Sequence, residues 1–310
     1  MSLPVLNKIR KGTAGMKVHG RWIAYIFLTV GGFLCLYPII FMVLGGLFTA
    51  AEYSVTTITL FPIAKEPTLD NLLAIFNTKT ASSVQKYFFN SVFRTAICVV
   101  LTIITTTVCG YAFGRLRWRG RRTVFLFLLF TTMLPTTVSL VPKYLMYARW
   151  PLAGGNRIFT GGTGIINTWA VYFIESPAIN IIATFFMKQY FEGIPYSLDE
   201  AAKLDGAGPF TIMFRILLPL AKPAAGYIAI TTSMAAWNDW STGFFFTSSD
   251  ALQMLPSALS RLSSAGQSSG NPDYPSMLTL GLANTIPALI IYFIFQKNIV
   301  EGISTAGLKE

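Results

Sequence analysis

Long apolar segments alternate with short polar ones along most of this chain. The first, from Trp22 to Phe48, contains 27 residues without a charged side chain. A helix of about 20 apolar residues is enough to cross the hydrocarbon core of a membrane. Further apolar segments lie at about 95–114, 123–142, 165–187, 224–246 and 276–296. The pattern predicts an all-α integral membrane protein with six transmembrane helices.

The charges between these segments predict how the helices are oriented. An even number of spans places both termini on one side, and with cytoplasmic termini 16 of the 24 Lys and Arg residues are cytoplasmic. Cytoplasmic loops carry such an excess. The predicted organisation is a basic cytoplasmic tail at 1–21, a first helix at 22–48, an extracytoplasmic loop at 49–91, a core of five helices at 92–296 and a cytoplasmic tail at 297–310.

Two features of the basic residues have an alternative interpretation. The tail and the first apolar segment resemble a signal peptide, but the segment is about twice the usual ~7–15 residues, which favours a retained anchor. The five arginines at 115–122 would suit nucleic acid, but their place between two spans favours a topology signal and contact with anionic lipid. We therefore expect a lipid bilayer around the chain and no nucleic-acid partner.

Composition excludes most enzyme classes. The chain is 53% hydrophobic and 12% charged, and its single histidine, His19, lies in the basic tail. The cysteines Cys35, Cys98 and Cys109 fall inside predicted spans without metal-ligand spacing, and the sequence contains no GxxxxGK[ST] phosphate loop. The sequence predicts a non-catalytic protein without a metal or cofactor of its own.

The segment 188–223 is a strongly patterned polar stretch between two predicted spans. Ser197 and Glu200 have the S-x-x-E spacing of a capping box, which predicts that a helix begins there with Ser197 as its cap. Gly206 and Gly208-Pro209 predict a break and a second helix. That helix carries an apolar stripe and ends near two prolines, listed in order as Phe210, Met213, Phe214, Leu217, Pro219 and Pro223. The prediction is a rigid cytoplasmic hairpin that binds a partner, or else lies in the lipid headgroup layer.

One low-complexity tract, at 263–272, precedes the last predicted span. It is rich in Ser and Gly, which predicts a flexible segment. Two interpretations remain open for it, a passive tether and an adaptable finger that touches an extracytoplasmic partner.

The order of residues in the hairpin resembles the EAA loop of membrane subunits of binding-protein-dependent ABC importers. Glu200-Ala201-Ala202 is followed after three residues by Gly206 and after nine more by Ile216-x-Leu218-Pro219. Further similarity extends over roughly residues 20 to 310 and is carried by Asn90-Ser91, Gly110-Tyr111-Ala112-Phe113, Trp237-Asn238-Asp239-Trp240, Gln296 and Thr305-Ala306-Gly307-Leu308-Lys309. The chain is similar to the shorter permease subunit of the carbohydrate-uptake subfamily.

This resemblance implies a coupling helix that docks in a cleft of a cytoplasmic ATPase. The docking residues that it implies, extended by two apolar hairpin positions, are Glu200, Ala201, Ala202, Asp205, Gly206, Ala207, Phe214 and Pro219. It also implies these partners in a prokaryotic plasma (inner) membrane: a second permease subunit forming a heterodimer, two ATPase subunits that bind ATP and Mg, an extracytoplasmic solute-binding protein and a carbohydrate. The connection from Arg149 to Gly164 is longer than usual in that family, and the chain ends in Lys309-Glu310 where Lys-Gly is more common.

Polar and aromatic residues inside the predicted spans are candidates for a sugar pathway, because such residues tend to face a cavity. The candidates are Asn167, Trp169, Tyr172, Glu175, Asn180, Trp237, Asn238 and Asp239. Hydrogen bonds between helices and anchoring at the membrane interface are the alternatives. The sequence thus predicts a permease subunit of an ATP-driven carbohydrate importer. A secondary sugar transporter working without an ATPase is the alternative, for which paired interrupted helices in inverted halves would be expected.

Overall fold

The computed structural model describes residues 18–55, 59–74, 78–156, 162–175, 180–270 and 272–306. These residues form helices and turns, and none of them lies in a strand. The helices are α1 (Val18–Gly46), α2 (Ala50–Val55), α3 (Asp70–Ala74), α4 (Thr78–Gly114), α5 (Arg121–Thr131), α6 (Thr136–Ala148), α7 (Trp169–Ile174), α8 (Ile181–Glu192), α9 (Ser197–Leu204), α10 (Pro209–Leu220), α11 (Lys222–Trp237), α12 (Ser241–Phe246), α13 (Leu255–Ser269) and α14 (Tyr274–Ala306). A 3₁₀ turn at Asp250–Leu252 precedes α13.

The chain divides into two compact units. The first comprises Met1–Leu72 and Tyr274–Leu282, and the second comprises Leu73–Asp273 and Ala283–Glu310. In the first unit, α1 approaches the start of α14 closely because it has glycine at the contact: a Cβ at Gly45 would clash with Leu278 Cδ1. Asn71 closes this unit by donating hydrogen bonds to the carbonyls of Gly46 and Phe48.

The second unit is built around the long helix α4, which packs against α8 and α11. Glycine again permits the approach, since a Cβ at Gly110 would lie 2.9 Å from Met187 Cγ. The buried side chains at this junction come from five helices and form one apolar cluster: Tyr111, Ala183, Met187, Phe191, Ala202, Ile212, Met213, Leu217, Ala224 and Ile228, together with Ala221 at the start of α11. This cluster holds the predicted hairpin against the helices.

The all-α membrane architecture agrees with the prediction, whereas the described residues do not form six uninterrupted spans. Among the described helices, Ala24–Gly46 and Val84–Gly114 are long and apolar enough to cross a membrane. Pro209–Leu220 and Lys222–Trp237 would add a third span if they were read as one segment bent by 81°. The number of spans and the side on which the termini lie stay predictions.

The predicted spans at 123–142, 165–187 and 224–246 are each interrupted. The first is broken before Pro135, which precedes α6 and cannot continue α5 because its ring fixes the backbone and removes a donor. The second is divided between α7, which ends at Ile174, and α8, which begins at Ile181. The third ends at Trp237 and resumes at Ser241, so that residues between α11 and α12 leave the helix.

The predicted flexibility of the tract at 263–272 is wrong, because α13 continues through it to Ser269. Gly270 ends this helix in the left-handed conformation, with φ +69°. The side chain of Arg261 anchors α13 by donating to the carbonyls of Gly243 and Phe244 at 3.1 Å. Tertiary contacts of this kind override the weak helix propensity of Ser and Gly. Asn271, within this tract, lies outside the described part of the chain. So do residues 1–17 of the basic tail and the final residues Gly307 to Glu310.

Candidate functional site

The candidate site is the hairpin formed by α9 and α10. Its turn is a Schellman motif: the Ala207 N–H donates to the Ala202 carbonyl at 2.9 Å, and the Gly206 N–H donates to the Lys203 carbonyl at 3.0 Å. Gly206 has φ +80°, a left-handed conformation that residues with a Cβ adopt at a cost. Pro209 then occupies the first turn of α10. The predicted break at Gly206 and the predicted restart at Gly208-Pro209 are both confirmed.

The predicted capping box at the start of this hairpin is wrong. The residue preceding α9 is Tyr196, and no side chain caps the helix there. The N–H of Leu198 donates to the carbonyl of Pro195, and those of Asp199 and Glu200 donate to the carbonyl of Tyr196. Because backbone carbonyls satisfy these first free N–H groups, Ser197 is not needed as a cap.

The second helix of the hairpin does not bury the predicted stripe as one face. Residues Ile212–Leu217 are π-helical, with more residues per turn than an α-helix. This wider turn buries Ile212, Met213 and Leu217 while it leaves Phe214 39% exposed. Phe210, before the π-helical segment, is 73% exposed. The element ends at Leu220, in agreement with the predicted stop, and bends by 81° into α11.

The outer end of the hairpin presents apolar and acidic side chains together. Leu204 is 89% exposed, and Ala201, Glu200 and Asp205 are also exposed around it. Among the predicted docking residues, Gly206, Phe214 and Pro219 are exposed as well, Ala207 is partly buried, and Ala202 faces the core. Seven of the eight predicted residues are thus at least partly exposed, and Leu204, Glu200 and Asp205 provide apolar and acidic side chains at the outer end. The docking role itself stays a prediction.

The base of the hairpin contains residues that the sequence analysis missed. Arg115 follows α4 directly, and its buried side chain donates from Nη2 to the Ile194 carbonyl at 2.7 Å. Its guanidinium lies 4.3 Å from the ring centroid of Tyr196, and its Nε lies 3.9 Å from Asp199 Oδ2. The sequence analysis treated Arg115 only as one of five topology charges. Its position at the end of an apolar helix is the signal that distinguishes it from the other four, of which Arg117, Arg119 and Arg122 are exposed.

A second buried cluster surrounds Asp239, one of the predicted sugar-pathway residues. Arg94 donates from Nη2 to Asp239 Oδ2 at 2.5 Å, and Thr242 donates its hydroxyl to the same oxygen at 2.6 Å. The Arg94 guanidinium also lies 5.0 Å from the ring centroid of Tyr172, whose hydroxyl donates to the Leu252 carbonyl. Tyr172 is fully buried. The sequence analysis did not single out Arg94, which the structure buries within α4.

Trp237, the last residue of α11, and Asn238, which follows it, differ in exposure. Trp237 is 2% exposed, and its Nε1 donates to the Asn284 carbonyl at 2.9 Å. Asn238 is exposed, and its amide donates to the Met234 carbonyl of the preceding turn. Of these two residues, therefore, only Asn238 has a side chain that a ligand could reach.

Asn167 and Asn180 shape the backbone around α7 and α8. Asn167 has φ +60°, and its side-chain oxygen accepts hydrogen bonds from the N–H groups of Ser248 and Ser249. Asn180 caps α8, since its side-chain oxygen accepts from the Ala183 N–H at 2.9 Å. Trp169 packs edge-on against Phe93 with ring centroids 5.7 Å apart.

Glu175 lies in a small charged cluster. Lys143 Nζ is 3.0 Å from one carboxylate oxygen of Glu175, and the Tyr147 hydroxyl donates to the other at 2.5 Å. Burial, followed by the hydrogen bond and the charge of Glu175, raises the pKa of Tyr147 above its ordinary value. Most candidates for the sugar pathway thus make structural contacts within the protein, and their role in sugar binding stays a prediction. In the described part of the chain, no three His, Cys, Asp or Glu side chains are grouped as they would be to hold a metal.

Comparison with known proteins places this geometry in context. Residues 106–305 match the family described as "Binding-protein-dependent transport system inner membrane component". The arabinooligosaccharides transport system permease protein AraQ of Bacillus subtilis (strain 168) is 31% identical over 284 residues, covering 92% of this chain and 94% of that protein. The galactooligosaccharides transport system permease protein GanQ of the same organism is 26% identical over 301 residues, covering 96% and 99%.

The fold also resembles a solved structure. A chain from the crystal structure of a bacterial ABC transporter involved in the import of the acidic polysaccharide alginate superposes with a TM-score of 0.72 at 21% sequence identity. The match covers 91% of the present chain and 98% of the other. At this level of identity the likeness concerns the fold.

Proposed function

The chain belongs to the family of binding-protein-dependent transport system inner membrane components, and we propose that it is the transmembrane permease subunit of an ATP-driven importer for a carbohydrate. The relatives AraQ and GanQ are permease proteins for arabinooligosaccharides and galactooligosaccharides. Their similarity over more than nine-tenths of this chain supports an oligosaccharide or a related compound as the substrate.

The hairpin of α9 and α10 is the observation that carries the proposal. Its inner face, through Ala202, Met213 and Leu217, is buried in the apolar cluster, while Leu204 and Phe210 are left exposed at its end. An apolar side chain that is held on a rigid, capped turn loses little freedom when it enters a groove on a partner. We infer that this surface docks on a cytoplasmic ATPase and that Glu200 and Asp205 meet basic groups at the rim of its cleft.

In the proposed assembly, the present chain forms one half of the sugar pathway across the membrane. It comprises a second permease subunit, two ATPase subunits that bind ATP and Mg, and an extracytoplasmic solute-binding protein, in a prokaryotic plasma membrane. In this assembly the present chain crosses the membrane six times and has both termini in the cytoplasm. The excess of Lys and Arg in the cytoplasmic segments supports that orientation.

The test of docking is the substitution Leu204→Ser in the assembled transporter. Leu204 is 89% exposed, so the change leaves the core intact. Burying a leucine at an interface contributes roughly 1.5–3 kcal/mol, so we expect about ten-fold or greater weakening of ATPase binding. The measurement is the amount of ATPase subunit that is retained on the purified permease as the ATPase concentration is lowered.

Val55→Ser is the matched control. Val55 is 83% exposed and lies in the first compact unit, outside the hairpin. We expect this variant to retain the ATPase as the wild-type protein does. Equal retention by the Leu204 variant and the wild type would contradict the docking role of the hairpin end.

A further inference from the structure

The end of α4 and the base of the hairpin each donate a hydrogen bond to the other. Arg115, the residue after α4, donates to the Ile194 carbonyl at 2.7 Å and lies over the ring of Tyr196. Tyr196 in return donates its hydroxyl to the Gly114 carbonyl at 3.0 Å. These contacts join the segment that enters α9 to the last turn of a helix 37 residues long.

The ion pair at this junction is incompletely formed. Arg115 Nε is 3.9 Å from Asp199 Oδ2, which is longer than the ~2.7–2.9 Å of a charged hydrogen bond. Arg115 Nε, Arg115 Nη1 and Asp199 Oδ1 are buried and have no hydrogen-bond partner among the described residues. Burying such groups without hydrogen bonds is unfavourable. Shortening this distance by about 1 Å would bring Arg115 Nε and Asp199 Oδ2 to hydrogen-bond distance.

We propose that Arg115 and Asp199 are positioning residues, which close into a direct two-point ion pair when the hairpin moves against α4 during transport. The inference rests on the proposed function, since it supposes that an ATPase moves the hairpin. Asp199 belongs to the first turn of α9, and Arg115 continues directly from α4. Their closure therefore transmits a displacement of the hairpin to a continuous helix that is long enough to cross the membrane.

The experiment measures sugar transported per ATP hydrolysed by the assembled transporter with the variants Arg115→Lys and Asp199→Asn. Lys keeps the charge but cannot form the two-point contact, and Asn keeps the shape but removes the charge. We expect both variants to retain the ATPase subunits and to hydrolyse ATP. Each variant loses the hydrogen-bonded charge pair only in the state in which the hairpin has moved against α4. We therefore expect the transport-to-hydrolysis ratio to fall about ten-fold in each variant. In the double variant, the transport-to-hydrolysis ratio should be no lower than in the single variant with the lower ratio.

Arg117→Lys is the matched control, because the same change is made at an exposed arginine two residues along. It should keep the wild-type ratio. The proposal is overturned if the Arg115 and Asp199 variants have a wild-type ratio, including the case in which only the yield of assembled complex falls. Additive losses in the double variant would also overturn it, since they would show that the two side chains act separately. Failure of the proposed function is distinct, because the wild-type complex would then show no ATP-driven sugar uptake.

Discussion

Arg94 is a charged side chain that is 1% exposed in a helix apolar enough to cross a membrane. Its charge is balanced by Asp239, which also accepts hydrogen bonds from Ser241 and Thr242. Charged residues inside membrane segments are costly unless they are paired. The ion pair joins α4 to the break between α11 and α12. It therefore holds the irregular backbone between these two helices in place.

Removing one charge of this pair should destabilise the protein strongly. Asp239→Asn leaves the Arg94 charge buried without a counter-charge, and breaking a buried pair in this way costs about 3–5 kcal/mol. We expect a lower midpoint of thermal unfolding for the detergent-purified protein. The double variant Arg94→Gln with Asp239→Asn removes both charges and should recover part of the loss. A double variant less stable than Asp239→Asn alone would contradict this account of the pair.

Helix α13 shows how an element can differ from what its composition indicates. Ser and Gly dominate its second half, and from sequence alone they predict a flexible tract. The structure supplies contacts that the sequence pattern does not reveal: Ser257 accepts from the Met254 N–H and donates to Gln253, and Arg261 binds carbonyls at the end of α12. With its first turns fixed, the helix extends to the left-handed cap at Gly270.

The substitution Ser264→Pro tests whether this part of α13 is helical or flexible. Ser264→Pro removes a helix hydrogen bond and clashes with the preceding turn, which costs about 3 kcal/mol or more. We expect the amides of residues 259–269 to be protected from hydrogen exchange in the wild type and to lose that protection in this variant. Ser264→Ala, which also removes the side-chain hydrogen bond to the Ser260 carbonyl, should retain it. Rapid exchange of these amides in the wild type would restore the interpretation as a flexible tether.

The hairpin was more predictable from sequence than α13. The positions of Gly206 and Pro209 dictate the turn, because a left-handed residue and a fixed backbone torsion are local requirements. The start of α9 at Ser197 was predicted, but its cap was not, because the carbonyls of Pro195 and Tyr196 accept from N–H groups that Ser197 could also have capped. The contacts of Arg115 were missed as well, because they join positions about 80 residues apart in the sequence.

At the scale of the whole molecule, hydropathy identifies the membrane character but not every break in the helices. The first segment matches α1, and the segment at 95–114 belongs to the longer α4. The interruption at 237–241 lies in an apolar stretch, and it is held by Asp239, which accepts a hydrogen bond from the Thr242 N–H. A window that averages hydrophobicity does not detect such a break, because one ion pair with a distant helix stabilises it.

The isolated chain should lack both energy coupling and transport. Its sequence contains no GxxxxGK[ST] phosphate loop, and in the proposed assembly separate ATPase subunits hydrolyse ATP while this chain forms only half of the pathway. We expect purified chain in vesicles to hydrolyse no ATP above background and to accumulate no labelled oligosaccharide. The same vesicles carrying the complete transporter, its solute-binding protein and ATP provide the positive control. Uptake by this chain alone, driven by a proton or sodium gradient, would favour the secondary transporter, because such a protein draws its energy from the ion and needs no docking surface for an ATPase.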